Sequence, residues 1–307
     1  MGKAAFVFPG QGSQYVGMAK DLYDADPAVR ELMDRADAIL GIPISRLCFE
    51  GPEEELRQTK NTQPAIFLHS LAAFRSAVLK PDCVAGHSLG EYSALVVAGA
   101  LDFEDALRLV RLRGELMQLA GEQHRGTMAA IVGLEAADVE GVCREASEAG
   151  IVQPANFNSP GQIVISGSVD GVHRAMELAR GRGARMVKEL TVSGAFHSPL
   201  MESAREGLRG ALKKTNVSDA VIPVYANVTA EPATPSSEIR DLLCRQLTSP
   251  VRWEETIRNM IRDGVVEFTE VGPGKVLQGL IRRTEPAVKT CGIDTWTDVE
   301  RQREETQ

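Results

Sequence analysis

Gly86-His87-Ser88-Leu89-Gly90 reads G-x-S-x-G. An apolar run, Cys83-Val84-Ala85, precedes it, and a helix-prone run, Glu91-Tyr92-Ser93-Ala94-Leu95-Val96-Val97, follows. That context predicts a strand, a sharp turn and a helix. Glycines on both sides let the turn close, because a side chain there would clash with the crossing backbone. Ser88 then stands at the apex in a strained conformation, its hydroxyl exposed at a helix N-terminus, which is a nucleophile elbow. The free N–H groups of that helix start can stabilise an oxyanion. A plain Gly-Ser loop also fits the five residues, so the flanks decide in favour of the elbow.

A serine nucleophile needs a base, normally histidine. The chain has five. His69 lies in an apolar helical run and reads as a packed core or boundary residue. His87 adjoins Ser88, and neighbours in a tight turn point different ways. His124 sits in a polar loop and His173 on an exposed helix face. His197 lies in Gly194-Ala195-Phe196-His197-Ser198-Pro199, before a helix that Ser198 caps and Pro199 starts. A histidine on that rigid turn is placed to reach into a cleft, although a capping-loop histidine without a partner also fits. No loop carboxylate between Ser88 and His197 is a persuasive third member, so a backbone carbonyl is expected to orient the imidazole.

Arg113 is the second informative residue. The predicted helix from Phe103 to Leu119 has Asp102 as N-cap, and Arg111 and Glu115 stand i,i+4 on its polar stripe. Arg113 falls instead among Ala106, Leu109, Val110, Leu116, Met117 and Ala120, the apolar face. Burying an unpaired guanidinium costs several kcal/mol. Its expected partner is an internal carboxylate or a bound anion, and a substrate carboxylate would suit the serine. Gln11, in a glycine-flanked loop after the first strand, would approach Ser88 if the elbow strand is adjacent. Its N–H and that of Leu89 could then form an oxyanion hole. The Gly10-x-Gly12 pair lacks the spacing of a dinucleotide fingerprint. Asn156, Asn158, Ser159 and Gln162 could line the cleft, or merely make a turn.

The elements that must position these groups alternate strand and helix. A buried strand at residues 4–8 is followed by helices near 14–23, 27–40 and 61–79, the last with Asn61 as N-cap, and then by the elbow strand. That order implies a parallel α/β sheet. From Gly126 the rhythm changes to β-α-β-β-α-β, a ferredoxin-like arrangement. The α/β pattern resumes with a helix near 200–214, a strand at 221–228, helices near 238–247 and 253–263, a strand at 265–271, a helix at 275–283 and a strand at 288–293. The fold class is therefore α/β: a parallel-sheet, hydrolase-like large lobe (1–125 and 194–296) with an inserted ferredoxin-like small lobe (126–193). Residues 297–307 read as a polar tail.

Of 307 residues, 43% are hydrophobic and 25% charged, the profile of a soluble globular protein. The net charge of −8 disfavours nucleic acid and anionic membranes. Five cysteines without C-x-x-C spacing favour reduced thiols and a cytoplasmic location. No His/Cys cluster suggests a metal. The apolar start is too short for a signal peptide, and no run spans a membrane.

Several motifs together resemble those of malonyl-CoA:acyl-carrier-protein transacylases. They are Phe8-Pro9-Gly10-Gln11-Gly12-Ser13-Gln14, Gly86-His87-Ser88-Leu89-Gly90-Glu91, Arg113-Gly114, Asn156-Phe157-Asn158-Ser159-Pro160-Gly161-Gln162, Arg245-Gln246-Leu247 and Glu270-Val271-Gly272-Pro273-Gly274-Lys275. The likeness runs from about Met1 to Asp294. It implies Ser88 as the acylated nucleophile, His197 as base and Arg113 as clamp for the malonyl carboxylate. It implies Gln11 and Leu89 as oxyanion donors, and Gln246 as support for His197 through its backbone carbonyl. Met117, Asn158 and Phe196 are expected in the substrate pocket, Phe196 resembling the malonyl-selective form of its motif. No bound cofactor is implied. Malonyl-CoA is the substrate, a phosphopantetheinylated acyl carrier protein the partner, and a monomer the usual state. Arg180, Arg182, Arg185 and Lys188 are candidates for docking an acidic carrier, or equally a solvated helix end. Fatty acid and polyketide synthesis both remain open. A serine hydrolase and a non-catalytic carrier-docking protein are the rival classes.

Overall fold

A computed structural model describes residues 2–77 and 80–306. Among the described residues, ten strands divide into two sheets. The first contains β1 (Lys3–Phe8) and β2 (Cys83–Gly86). The second is built from β3 (Gly126–Val132), β4 (Val152–Ser159), β5 (Gln162–Ser168) and β6 (Met186–Glu189). The chain then returns to the first sheet with β7 (Val224–Tyr225), β8 (Pro232–Ala233), β9 (Val265–Val271) and β10 (Lys289–Ile293). The six-stranded order is β10-β9-β1-β2-β7-β8, parallel except for the β7–β8 pair. The four-stranded sheet is antiparallel, with order β4-β5-β3-β6, the ferredoxin-like arrangement. It is the separate sheet of the α/β fold.

After Lys3 the β1 sequence is apolar, because from Ala5 to Phe8 the strand is buried on both faces, as parallel sheets covered by helices require. Side chains alternate across it. Phe6 and Phe8 pack with the helix Thr59–Ser76 on one face. Ala5 and Val7 pack with Trp253, Ile257 and Leu280 on the other. The parallel register sets Phe8 opposite Gly86. The loop after β1 and the turn after β2 therefore leave the same carboxyl edge of the sheet, where open α/β folds place their ligands.

Several local expectations change. The helix expected at 14–23 is Lys20–Ala25. Gly17 and Ala19 hold φ of 100° and 61°, left-handed values that interrupt a helix. The helix expected from Asn61 begins at Thr59. Asn61 is not its cap: its Nδ2 donates to the Glu55 carbonyl (2.9 Å), tying back the preceding turn. Residue 79, its expected end, lies outside the described residues. Pro64 sits inside this helix, and the Lys60 carbonyl that its missing N–H frees accepts from Arg111 Nη1 at 3.0 Å. The strand expected at 221–228 shrinks to β7. The expected polar tail is the helix Trp296–Thr306, anchored by fully buried Val299. Its one buried apolar position is too sparse a signal for a periodicity reading. Among the described residues, no helix is long and apolar enough to cross a membrane.

Candidate active site

The turn after β2 has the tightness its glycines imply. A Cβ on Gly86 would lie 1.9 Å from the Gly90 carbonyl carbon, and one on Gly90 would lie 2.1 Å from the Phe8 carbonyl oxygen. Ser88 itself holds φ 52°, a left-handed conformation unusual for serine. Its backbone N–H donates to Asn227 Oδ1 at 2.6 Å, and Asn227 Nδ2 donates to the Gly86 carbonyl at 2.6 Å. Asn227 thus clasps the elbow from both sides. Nothing in the sequence marked it.

His197 reaches this serine from 109 positions further along the chain. It also has a left-handed backbone, φ 57°, and is followed by a short 3-10 turn, Pro199–Met201, that Ser198 caps. The helix Glu202–Leu212 continues from it. The imidazole Nδ1 lies 2.9 Å from the Gln246 carbonyl, and Nε2 lies 2.9 Å from Ser88 Oγ. A carbonyl only accepts, so Nδ1 carries the proton and Nε2 is left as an acceptor for the serine O–H. Burial and then the nearby Arg113 cation pull the imidazole pKa down to about 3. The ring is therefore neutral at pH 7 and free to take a proton. Gln153 Nε2 also donates to the His197 carbonyl (2.8 Å), a support the sequence reading missed.

The Arg113 helix spans Phe103–Gln123. Two glycines, seven residues apart on one face, let it dock closely. A Cβ on Gly114 would lie 2.8 Å from Lys60 Cα, and one on Gly121 would lie 2.1 Å from the Ser193 carbonyl. Arg113 is only 1% exposed. Nη1 donates to Gln63 Oε1 (2.7 Å); Nη2 donates to Gln246 Oε1 (2.9 Å) and Ser88 Oγ (3.0 Å). All of these acceptors are uncharged. Of the two partners expected for this guanidinium, an internal carboxylate in direct contact is absent among the described residues. Burial lowers its pKa, and Tyr92 and Glu91 oppose the fall. Gln63 has a signal in retrospect: an amide beside a proline, where the polar start of the helix gives way to an apolar run.

These groups converge on a cleft of about 270 Å³ between the two sheets. Gln11, Ser88, Leu89, Arg113, Met117, Asn158, Phe196 and His197 all line it. Among the described residues, the backbone N–H groups of Gln11 and Leu89 have no protein acceptor. Gln246 stands behind the wall, joined to Arg113 and His197 as described. Asn158 Oδ1 accepts from His87 Nε2 at 2.9 Å, so His87 bridges the elbow to the antiparallel sheet. Asn156 and Gln162 line the cleft too, whereas Ser159 does not. His69 is buried beside Asp294, and His124 and His173 are exposed. Of the four small-lobe cations, Arg182 is tied to Glu145 (2.6 Å) and the Asp138 carbonyl. Arg180, Arg185 and Lys188 are exposed. No cluster of three or more metal-binding side chains occurs among the described residues.

A family model described as acyl transferase domain matches residues 5–295. The malonyl CoA-acyl carrier protein transacylase of Bacillus subtilis is 49% identical over 297 residues, covering 95% of this chain and 94% of that protein. A crystal structure of an acyl carrier protein S-malonyltransferase from Vibrio cholerae superposes with a TM-score of 0.95 at 42% identity, covering 97% and 99% of the two chains. A malonyl-transacylase solved in complex with a type II polyketide synthase acyl-carrier protein gives a TM-score of 0.95 at 40% identity, covering 99% of each chain.

Proposed function

Because this chain belongs to the acyl transferase domain family, we propose that it moves a malonyl group from CoA to the phosphopantetheine thiol of an acyl carrier protein, by way of an ester on Ser88. The observation that carries this reading is the placement of Ser88 Oγ. It lies 2.9 Å from a neutral imidazole acceptor and 3.0 Å from a buried guanidinium that, among the described residues, has no carboxylate in direct contact. A base activates the hydroxyl, and the cation waits for an acidic acyl group.

In the first half-reaction Ser88 Oγ attacks the thioester carbonyl and its proton passes to His197 Nε2. The N–H groups of Gln11 and Leu89 receive the oxyanion. Collapse of the tetrahedral adduct breaks the C–S bond, and the CoA sulfur leaves with the proton from His197. The malonyl carboxylate pairs with Arg113 throughout. In the second half-reaction the carrier thiol gives its proton to His197 and attacks the ester. Ser88 leaves and recovers the proton. Met117, Asn158 and Phe196 bound the acyl pocket, and Gln246 orients the imidazole. No bound cofactor enters these steps. Residues 1–125 and 194–296 act as the catalytic lobe and 126–193 as the lobe that closes the cleft. Of the docking cations first considered, Arg180, Arg185 and Lys188 remain free to meet an acidic carrier, and the chain acts as a cytoplasmic monomer.

Intact mass after incubation with malonyl-CoA tests the reading. A malonyl adduct is expected on Ser88, discharged by a phosphopantetheinylated carrier. Release of free malonate without a carrier, and no adduct, would make the chain a hydrolase. Carrier loading unchanged in Ser88→Ala would make it a docking protein.

A further inference from the structure

Glu91 follows the second elbow glycine and is 3% exposed. It is the lone charge in the short helix Gly90–Val97, whose other residues are small, apolar or aromatic. A buried carboxylate is costly to desolvate unless it makes strong hydrogen bonds. Here one oxygen makes two. Glu91 Oε2 accepts from Asn227 N (2.9 Å) and from Gln246 Nε2 (3.0 Å).

Both partners lead to the cleft. Asn227 clasps the Ser88 turn. Gln246 Nε2 also donates to the Ser88 carbonyl (3.0 Å), its Oε1 accepts from Arg113, and its main chain accepts from His197. An amide can sit either way round, and the two orientations fill the same space. Rotated by half a turn, Gln246 would point N–H groups at the Arg113 guanidinium and its oxygen at the Ser88 carbonyl. Two acceptors around Nε2, the Ser88 carbonyl and Glu91, forbid that orientation.

We propose that Glu91 is a positioning residue that fixes the Gln246 amide and the Asn227 clasp, and through them sets Arg113 and Ser88 in their working relation. It touches no reacting atom. It stands one residue removed from Arg113, behind Gln246, so it leaves free the edge of the guanidinium that an acidic acyl group needs. Burial first of all raises its pKa to about 7, and Oε2 accepts both bonds whether or not the other oxygen carries a proton. Reach, rather than charge, is the property that matters. This inference rests on the acyl-transfer reading of the cleft.

Three variants separate reach from charge: Glu91→Gln keeps an oxygen at the same reach, Glu91→Asp keeps the charge but draws it back by one methylene, and Glu91→Ala removes both. The measurement is kcat and KM for malonyl-CoA and acetyl-CoA with a carrier protein. We expect Glu91→Asp and Glu91→Ala to lose about 100-fold in malonyl kcat, the effect of a displacement near 1 Å. Their malonyl-over-acetyl preference should narrow by about tenfold, as one ordered hydrogen bond to Arg113 is loosened. Glu91→Gln should stay within about fivefold of wild type on both. An unimpaired Glu91→Asp, or a Glu91→Gln as damaged as Glu91→Asp, would overturn the inference. So would a rate loss that leaves the acyl preference unchanged, which is what general destabilisation produces. Should Glu91→Ala not fold, the Gln and Asp pair decides alone. Wild type that forms no malonyl-enzyme overturns the underlying reading instead, before any variant is compared.

Discussion

Ser88 and His197 meet at 2.9 Å, and both hold left-handed backbone, with φ of 52° and 57°. Each such residue costs roughly 1–2 kcal/mol relative to an ordinary conformation. The fold holds both through hydrogen bonds that do not touch the reacting atoms: Asn227 on the Ser88 amide, Gln246 on the imidazole, Gln153 on the His197 carbonyl. In the proposed reaction these two strained residues are the two ends of one proton path.

That strain can be measured. Ser88→Gly and Ser88→Ala should both abolish acylation, but glycine adopts φ 52° without the Cβ penalty. Chemical denaturation should find Ser88→Gly more stable than Ser88→Ala by about 1 kcal/mol. A glycine variant less stable than the alanine variant would mean that the turn is not strained.

Arg113→Ala should lower malonyl kcat/KM by about 10²- to 10³-fold, because a carboxylate would enter a buried site without its cation. Acetyl transfer should fall far less, so the preference shifts toward neutral acyl groups. Arg113→Lys should not restore activity, since one ammonium cannot serve Gln63, Gln246 and the substrate from the same place. Steady-state kinetics with both thioesters checks this, and equal losses for both would make Arg113 structural.

The elbow glycines tolerate no side chain. Gly90→Ala would drive a methyl to 2.1 Å from the Phe8 carbonyl, a backbone atom that cannot swing aside. Thermal or urea unfolding should show a loss of about 2–4 kcal/mol, together with loss of acylation. A stable, active Gly90→Ala would contradict the packing of β1 against the turn.

His197 makes the protein sensitive to acid. Its folded pKa of about 3 lies below the ordinary 6.5 because burial, and secondarily Arg113, disfavour the charged ring. The unfolded chain therefore binds this proton first, and stability falls as pH drops from about 6.5 toward 3. His197→Gln should remove that slope, which reaches at most about 1.4 kcal/mol per pH unit. Glu91 and Glu270, raised to about 7 by burial, act oppositely, weakening the fold as pH rises from 4.5 through 7. Wild type and the glutamine variant share those two groups, so the difference between their unfolding free energies isolates the histidine. Identical pH profiles would contradict a neutral buried imidazole.

Much of this architecture was written locally. Gly86, Ser88 and Gly90 carry their own turn chemistry, and Ser198-Pro199 marks where the segment holding His197 stops being loop. The change of rhythm at Gly126 follows from period and turn residues alone. Arg113 declared itself by standing on the wrong face of an amphipathic helix. Elements whose formation depends on distant partners were not legible in this way. The helix Trp296–Thr306 docks through buried Val299 and through hydrogen bonds from Trp296 to Asp21 and from Arg303 to the Ser76 carbonyl, Gly17 and Ala19 cut short a helix-like run, and Asn61 bonds backward instead of capping.

Residue type and the few bonds around each already mark which side chains could be nucleophile, base and cation. Tertiary structure decided the relations among them. Gln63, Asn227, Gln246 and Glu91 lie on four separate segments, and no local pattern states that their polar atoms share one buried network. Hydrogen bonds of that kind form between groups that only the parallel register of β1 and β2, and the docking of the Arg113 helix, bring within 3 Å.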